Sequence, residues 1–105
     1  GKQYATFGRD SMIRVWDFES GGLLFEAKGH SSYVYEVTWN PAGTLLASAS
    51  RDRSVRFWNA KDGTPVGSAI EFPHFVYAVR WNSDGTRVAV KTDLEAAVCS
   101  VETRE

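Results

Sequence analysis

Short apolar segments separated by turn residues run through the whole chain. In residues 33–39 (YVYEVTW), apolar side chains occupy both alternating registers, which predicts a strand buried on both faces. The stretches NPAG (40–43) and NSDG (82–85) are typical turn sequences. No segment carries capped apolar residues at helical spacing, so we expect essentially no helix.

The same pattern predicts strands throughout the chain. They lie near residues 3–8, 12–18, 22–28, 33–39, 44–50, 54–60, 75–81, 86–92 and 96–101, with a weaker strand in 64–71. Short, evenly spaced strands joined by turns favour antiparallel sheets in up-and-down order.

The chain also repeats itself at an offset of 42 residues. The shift places Trp16 on Trp58 and Trp39 on Trp81, and chance does not align four tryptophans as two pairs. The match ends after Ala89, and the sequence does not define a role for residues 90–105. Four strands in a period of about 40–45 residues are typical of β-propeller blades.

We therefore expect an all-β fold of antiparallel four-stranded propeller blades. Residues 1–28 would form a partial blade, 29–71 a full blade and 72–105 a degenerate partial blade. A closed ring needs typically four to eight blades, so the ring is incomplete in one chain. The sequence is then a fragment of a larger propeller, or several copies assemble a homo-oligomeric ring. The first partial blade lacks its first strand and the last lacks its fourth, so copies would not join into whole blades without surplus strands. This slightly favours the fragment.

At this point the chain resembles the WD-repeat β-propeller family over about residues 3–90. The first unit contributes the Trp-Asp pair itself, in IRVWD (13–17). The middle unit carries GH (29–30), VYEVTW (34–39), NPAG (40–43), LLASAS (45–50), Asp52 and VRFWN (55–59).

The resemblance implies a hydrogen-bond network of a histidine, a strand Ser or Thr, a turn aspartate and a strand tryptophan inside each blade. In the middle unit these residues are His30, Ser48, Asp52 and Trp58, and in the first unit Thr6, Asp10 and Trp16. The third unit departs from the pattern, because Phe72 replaces the histidine and Val90 falls where Ser48 would. Its network is expected to be incomplete or absent.

Serine, histidine and aspartate together could also form a hydrolytic site. We favour the structural role, because no G-x-S-x-G motif is present and Ser48 lies within a predicted strand. The set also recurs in the first unit, where no active site would need a copy. With two histidines and one cysteine, Cys99, at no ligand spacing, we expect no catalysis, no cofactor and no metal site.

The resemblance further implies an interaction surface at the narrow top of the propeller, near its central channel. It assigns to this surface Arg9, Tyr33, Tyr35, Arg51, Phe75 and Tyr77. These residue types commonly anchor protein–protein interfaces, and a tyrosine pair could hold a cationic side chain. The alternative is that the aromatic residues, Tyr35 and Tyr77 above all, only pack blade against blade.

Composition narrows the choice of partner. The 105 residues are 43% hydrophobic and carry a formal net charge of −1, which provides no electrostatic attraction toward nucleic acids or anionic membranes. Arg51, Arg53 and Arg56 are interrupted by Asp52 and are interpreted as a solvated turn. No apolar run approaches a membrane span, and no secretory leader is evident. We expect an intracellular scaffold, cytoplasmic or nuclear, that binds proteins or peptides, the remaining blades or further copies of itself.

Overall fold

The computed structural model describes residues 2–93 and 96–101, and these contain strands and turns but no helix. The strands are β1 (Gln3–Thr6), β2 (Ile13–Asp17), β3 (Leu23–Ala27), β4 (Val34–Trp39), β5 (Leu45–Ser50), β6 (Ser54–Asn59), β7 (Ile70–Glu71), β8 (Val76–Trp81), β9 (Arg87–Thr92) and β10 (Ala96–Ser100). The expectation of an all-β chain is confirmed.

One predicted strand is largely wrong. The segment expected over 64–71 pairs with β6 only through Ile70–Glu71 and through a single bridge between Pro65 and Trp58. Proline has no N–H for a continuous ladder, and Gly67 adopts a left-handed φ of 69°. The backbone between the two contacts is therefore irregular.

The strands form separate antiparallel sheets in which neighbours in sequence are neighbours in space. The first sheet has the order β1-β2-β3, the middle sheet β4-β5-β6-β7, and the third sheet β8-β9-β10. All the strand pairs are antiparallel. Most connections are short, as expected for the turn sequences between the strands, whereas ten residues (60–69) separate β6 from β7.

The core consists of two apolar layers, one on each face of the middle sheet. Toward the first sheet, the buried residues are Ile13, Val15, Ala27, Val34, Leu46, Trp58 and Ala60. Toward the third sheet, they are Ala47, Ala49, Val55, Phe57, Val76, Val79, Val88 and Val90. Because the middle sheet is covered on both faces, both alternating registers of its strands must be apolar or internally hydrogen-bonded. In β4, only Val34 is fully buried, and the other side chains are half-buried.

The same turn precedes β2 and β6 and is stabilised in the same way. Ser11 and Arg53 adopt left-handed φ values of 67° and 73° at equivalent positions. The carboxylate of the preceding aspartate accepts a hydrogen bond from the backbone two residues on, Met12 N–H in one turn and Ser54 N–H in the other. These side-chain contacts mimic a backbone turn and hold the non-glycine residue in its strained conformation.

Candidate functional site

A chain of hydrogen bonds crosses the interior of the middle sheet. Trp58 Nε1 donates to Ser48 Oγ over 2.8 Å, and Ser48 Oγ lies 2.6 Å from His30 Nε2. His30 Nδ1 lies 2.8 Å from Asp52 Oδ2. Because the indole can only donate and the carboxylate can only accept, the neutral imidazole carries its proton on Nδ1 and accepts from the Ser48 hydroxyl at Nε2. Every side-chain nitrogen and oxygen in this series of hydrogen bonds, from Trp58 to Asp52, has a partner.

Asp52 is the end of that chain and the centre of its turn. Besides His30, its carboxylate accepts from the Ser31 N–H over 3.0 Å and from the Ser54 hydroxyl over 2.6 Å. Burial opposes ionisation of Asp52, but the hydrogen bonds from Ser54, His30 and Ser31 outweigh it and hold the pKa of this carboxyl below its usual value. Burial lowers the pKa of His30, although Asp52 partly opposes this effect. The pair therefore consists of an ionised Asp52 and a neutral His30 at neutral pH.

The order of contacts from Ser48 through His30 to Asp52 matches that of a hydrolytic triad, but its accessibility does not. Ser48 is 0% exposed, and its hydroxyl oxygen is already occupied by the Trp58 N–H. A nucleophilic serine must reach a substrate carbonyl that is held beside oxyanion-hole donors. A substrate could approach Ser48 only by displacing the Trp58 indole from the core. The arrangement is suited to holding the sheet rather than to attacking a substrate.

The first sheet carries a variant of the same arrangement. Trp16 Nε1 donates to Thr6 Oγ1 over 2.9 Å. The Asp10 carboxylate accepts from Arg14 Nη1 over 2.7 Å, and this bond lowers the pKa of Asp10. Arg14 Nε also donates to Glu26 over 2.9 Å. An arginine here satisfies the turn aspartate that His30 satisfies in the middle sheet.

The third sheet has no equivalent chain of hydrogen bonds among the residues described. Val90, which lies where the pattern has serine, is 1% exposed and belongs to the apolar core. Phe72, in the histidine position, and Cys99 pack against that same core. A valine side chain can neither accept from an indole nor donate to an imidazole. The third sheet is therefore held by apolar packing at this position.

The residues that the resemblance assigns to the top surface lie together in one group. We call this group the rim cluster, and it comprises Arg9, Tyr33, Tyr35, Arg51, Phe75 and Tyr77. The Arg51 guanidinium carbon lies 5.4 Å from the centre of the Tyr33 ring and 4.9 Å from that of Phe75. The Arg9 guanidinium carbon lies 5.9 Å from the Tyr33 ring centre. These distances are within the range of cation–π contacts.

Two β-bulges determine the positions of Tyr35 and Tyr77 in the rim cluster. The pairing register shifts between Val34 and Glu36, and again between Val76 and Ala78, which leaves Tyr35 and Tyr77 without a cross-strand partner. Bulges redirect side chains. The two rings meet with their centres 4.9 Å apart, and Tyr77 remains 38% exposed. Burial and the charge of Asp93 raise the pKa of the Tyr77 phenol. Tyr77 thus packs against the neighbouring sheet and is also exposed to solvent.

Backbone hydrogen bonds hold the rim cluster in place. The Tyr33 carbonyl accepts from Ser50 Oγ and from Arg51 N–H, both over 2.8 Å. Val34 N–H donates to the Gly8 carbonyl over 3.0 Å, which ties the turn that carries Arg9 to β4. Asp93 N–H donates to the Phe75 carbonyl over 3.1 Å. The three sheets therefore present the rim cluster from a constrained backbone.

Sequence reasoning missed the contribution of Glu36. Its carboxylate accepts from the Val79 N–H over 2.8 Å and from Arg80 Nη1, and so connects β4 to β8. A glutamate within an otherwise apolar strand is the sequence signal for such a contact, because a charge next to a core needs a partner. The partner itself could not be chosen from the sequence, since it lies 43 residues away.

Other kinds of site find little support in the part of the chain that the structure describes. No group of three or more His, Cys, Asp or Glu side chains is placed to hold a metal ion there. Residues 2–93 and 96–101 also include no helical segment with the length and hydropathy required to span a bilayer.

A shallow cleft of about 240 Å³ adjoins the rim cluster and is lined by Arg53, Pro73, His74, Phe75 and Asp93.

Stacked, twisted antiparallel sheets of this order, repeated along the chain, define a β-propeller segment. Residues 21–59 match the WD40 family model, described as "WD domain, G-beta repeat". The WD40 β-propeller domain of Doa1 superposes with a TM-score of 0.85 and 27% identity, covering 96% of this chain and 34% of that one. Residues 21–59 thus match the WD-repeat model, and the chain has the fold of a β-propeller segment.

A curated relative shares the repeat. Ribosome assembly protein 4 of Chaetomium thermophilum is 43% identical over 42 residues, which are 40% of this chain and 8% of that protein. The chain therefore spans about a third of the solved propeller and less than a tenth of the curated relative.

Proposed function

We propose that this WD-repeat segment is a non-catalytic scaffold that binds other proteins or peptides through the rim cluster. The observation that carries the proposal is the convergence of arginine, tyrosine and phenylalanine side chains from all three sheets at one place. Tyrosine, phenylalanine and arginine are enriched in the cores of protein interfaces, and tyrosine and arginine are frequent hot-spot residues. Their constrained backbone favours recognition over a role in packing alone.

The absence of catalysis is part of the proposal. It is supported by the complete burial of Ser48 and by the hydrogen bonds that its hydroxyl oxygen makes with Trp58 and His30. The matching experiment is a hydrolysis assay on activated ester and peptide substrates with the wild type and Ser48→Ala. Equal background rates support the scaffold. Turnover by the wild type that Ser48→Ala abolishes, with the fold retained, would contradict it.

We extend the proposal to the class of partner and its location. Proteins or peptides are preferred to nucleic acids and membranes, because the formal net charge is −1 and the two arginines of the rim cluster lie beside aromatic rings. An intracellular location, cytoplasmic or nuclear, is supported by the similarity to a protein named for ribosome assembly. That similarity covers one repeat, so it supports no specific partner.

Selection from a random peptide library displayed on phage tests the scaffold. We expect immobilised wild-type protein to enrich peptides whose binding is lost in Tyr33→Ala. The matched control is Leu24→Ala, which removes an exposed apolar side chain from β3, in the first sheet. Both variants should keep the wild-type circular dichroism spectrum. Failure to enrich any peptide, or equal loss of binding in both variants, would contradict the proposal.

The proposal includes membership in a larger propeller, supported by the coverage of 34% of the solved domain. The second candidate is a ring of several copies of this chain. It is favoured by apolar side chains that remain in solvent, among them Phe18 at 66% exposure and Val98 at 70%. Light scattering of the purified chain separates the two. A discrete multimer supports the ring, whereas a monomer or polydisperse aggregates support the larger propeller.

A further inference from the structure

We propose that the rim cluster selects acidic peptide segments, with the guanidinium groups of Arg9 and Arg51 binding the carboxylates of the partner. This inference rests on the proposed scaffold function and specifies the chemistry of its ligand. It replaces the expectation that the tyrosine pair would hold a cationic side chain.

Arginine side chains lie over two of the aromatic rings in the rim cluster. The Arg51 guanidinium covers both Tyr33 and Phe75, and Arg9 lies over the same Tyr33 ring. Tyr35 and Tyr77 contact each other at 4.9 Å between ring centres. A partner cation at Tyr33 or Phe75 would therefore meet a ring that a guanidinium group already covers, and the arginines would repel it.

Arg9 and Arg51 each bring a positive charge to the rim cluster. Within the described residues, neither Arg9 nor Arg51 forms an ion pair, whereas Arg14 pairs with two carboxylates and Arg80 with Glu36. Arg9 and Arg51 directly precede the turn aspartates Asp10 and Asp52 in the sequence. Both of those carboxylates are already engaged, Asp10 by Arg14 and Asp52 by His30 and Ser54. Two exposed positive charges are thus left for an outside partner.

The orientation of a stacked guanidinium group determines which of its N–H groups a ligand can reach. Stacking on an aromatic ring occupies the flat face of a guanidinium and leaves its N–H edge free for a carboxylate, which it binds in a two-pronged fashion. Arg51 is held between Tyr33 and Phe75, and its own N–H is bonded to the Tyr33 carbonyl. An arginine that is already ordered loses less conformational entropy when the ligand arrives.

Asp93, an acidic residue beside the rim cluster, forms no ion pair with Arg9 or Arg51 within the described residues. Asp93 contacts the Tyr77 phenol, and together with Arg53 and His74 it lines the cleft beside Phe75. A partner peptide that crosses the rim cluster would therefore meet two arginines, with one carboxylate at the border. The balance of charge still favours an acidic segment.

A single-stranded nucleic acid is the competing ligand for arginine beside aromatic residues. Bases bind such surfaces by stacking on open ring faces. Here Arg51 lies over Tyr33 and Phe75, and Tyr35 contacts Tyr77, so the partly exposed Tyr77 is the main ring left for a base to stack on. A carboxylate needs only the guanidinium edges, which favours the acidic peptide.

The test uses the same random peptide library with the wild type and with the double variant R9Q/R51Q. We expect peptides enriched in Asp and Glu on the wild type and no such enrichment on the double variant. The control is R87Q, which removes one positive charge at the opposite end of the third sheet, where β9 begins. It should retain the acidic preference.

Fluorescence anisotropy then measures the affinity of the protein for two labelled peptides. One is a peptide from the wild-type selection, and the other is the same peptide with Asn and Gln in place of Asp and Glu. We expect the amide copy to bind at least about tenfold more weakly, and R51Q to weaken the acidic peptide by a similar factor. R51K should bind between R51Q and the wild type, because it keeps the charge and loses the planar fork. Equal affinity for both peptides would overturn the inference.

The failure of this inference can be told apart from failure of the scaffold proposal. If selected peptides are not acidic but still require Tyr33, the scaffold stands and the acidic preference falls. If no peptide is selected at all, both fall. A labelled single-stranded oligonucleotide is measured in parallel, and tighter binding of the oligonucleotide than of the acidic peptide would overturn the inference in favour of nucleic acid.

Discussion

Trp58 and Ser48 are joined by a hydrogen bond of 2.8 Å between the indole Nε1 and the hydroxyl oxygen, with both residues almost fully buried. Strand pairing makes this contact possible, because β5 and β6 place Ser48 opposite Arg56, two residues before the tryptophan. The first sheet repeats the relationship between Trp16 and Thr6 at 2.9 Å, in a more exposed position. The pair of contacts allows the effect of burial to be measured in one chain.

Ser48→Ala should destabilise the protein considerably more than Thr6→Ala. The first variant leaves two buried groups unpaired, the Trp58 N–H and His30 Nε2, and should lower the free energy of unfolding by about 2 to 4 kcal/mol. The second leaves a half-exposed indole that water can reach, so a loss of about 1 kcal/mol or less is expected. Urea unfolding followed by circular dichroism measures both. Equal losses would show that the buried chain of hydrogen bonds has no special weight.

Acidification should destabilise the protein through His30 first. Its pKa is lowered in the folded state, so the unfolded chain binds the proton more readily, and stability falls as the pH drops below the unfolded value of 6.5. The groups that face it are Asp52, whose charge opposes the shift, and Arg56, whose charge supports it. At lower pH, Asp52 adds to the loss, because its folded pKa also lies below its ordinary value of 3.8.

The measurement is the free energy of unfolding as a function of pH in the wild type and in His30→Gln. The wild type should lose stability on both acid steps, and the variant should lack the step that begins near 6.5. A wild-type stability that rises, or stays constant, as the pH falls through this first range would contradict a neutral, buried His30.

Gly63→Ala should disrupt the contact between the first and middle sheets. Gly63 has a φ of 79°, and a Cβ there would lie 2.6 Å from the Phe25 ring and 2.8 Å from the Glu26 carbonyl. Gly43 is the matched control, because its φ is 75° and a Cβ would meet nothing within 4 Å. Both variants bear the left-handed strain of about 1 to 2 kcal/mol. Gly63→Ala should lose about 1 to 3 kcal/mol more, as overpacking does. Similar unfolding curves for the two variants would contradict this close approach.

Glu36→Ala should weaken the connection between the middle and third sheets. It removes the acceptor of the sheltered Val79 N–H, and we expect a loss of about 1 to 3 kcal/mol in the free energy of unfolding. Glu36→Gln keeps an acceptor and loses only the exposed ion pair with Arg80, which contributes about 1 kcal/mol or less. Thermal and urea unfolding of both variants separate the two contributions. A larger loss for glutamine than for alanine would exclude this role.

Sequence reasoning predicted most of the secondary structure because each strand depends on its own residues. The alternation in 87–92 produces a strand with alternating exposed and buried side chains, as β9 shows. The prediction for 64–71 was largely wrong, since its proline and its one glycine, Gly67, interrupt the pairing that its apolar residues suggested. Local pattern describes which residues prefer extended backbone, and it does not show where a partner strand will accept them.

The contacts of the rim cluster were beyond what local pattern can predict. Its residues were nominated by resemblance, but the placement of Arg51 over Tyr33 and Phe75 depends on two sheets meeting at a fixed distance. The same is true of Glu36, whose partners lie on another sheet. These contacts are the basis of the proposal that the peptide ligand carries carboxylates.

By itself, the sequence determined the class of fold, the strand pattern and the repeat, because alternation and turn chemistry act over a few residues and recur at a spacing of 42. Only the tertiary structure decided that the Ser48 hydroxyl is sealed in the core and that Arg9 and Arg51 remain exposed without a carboxylate partner among the described residues. Burial and charge pairing arise between sheets, and they depend on distances that no single segment contains.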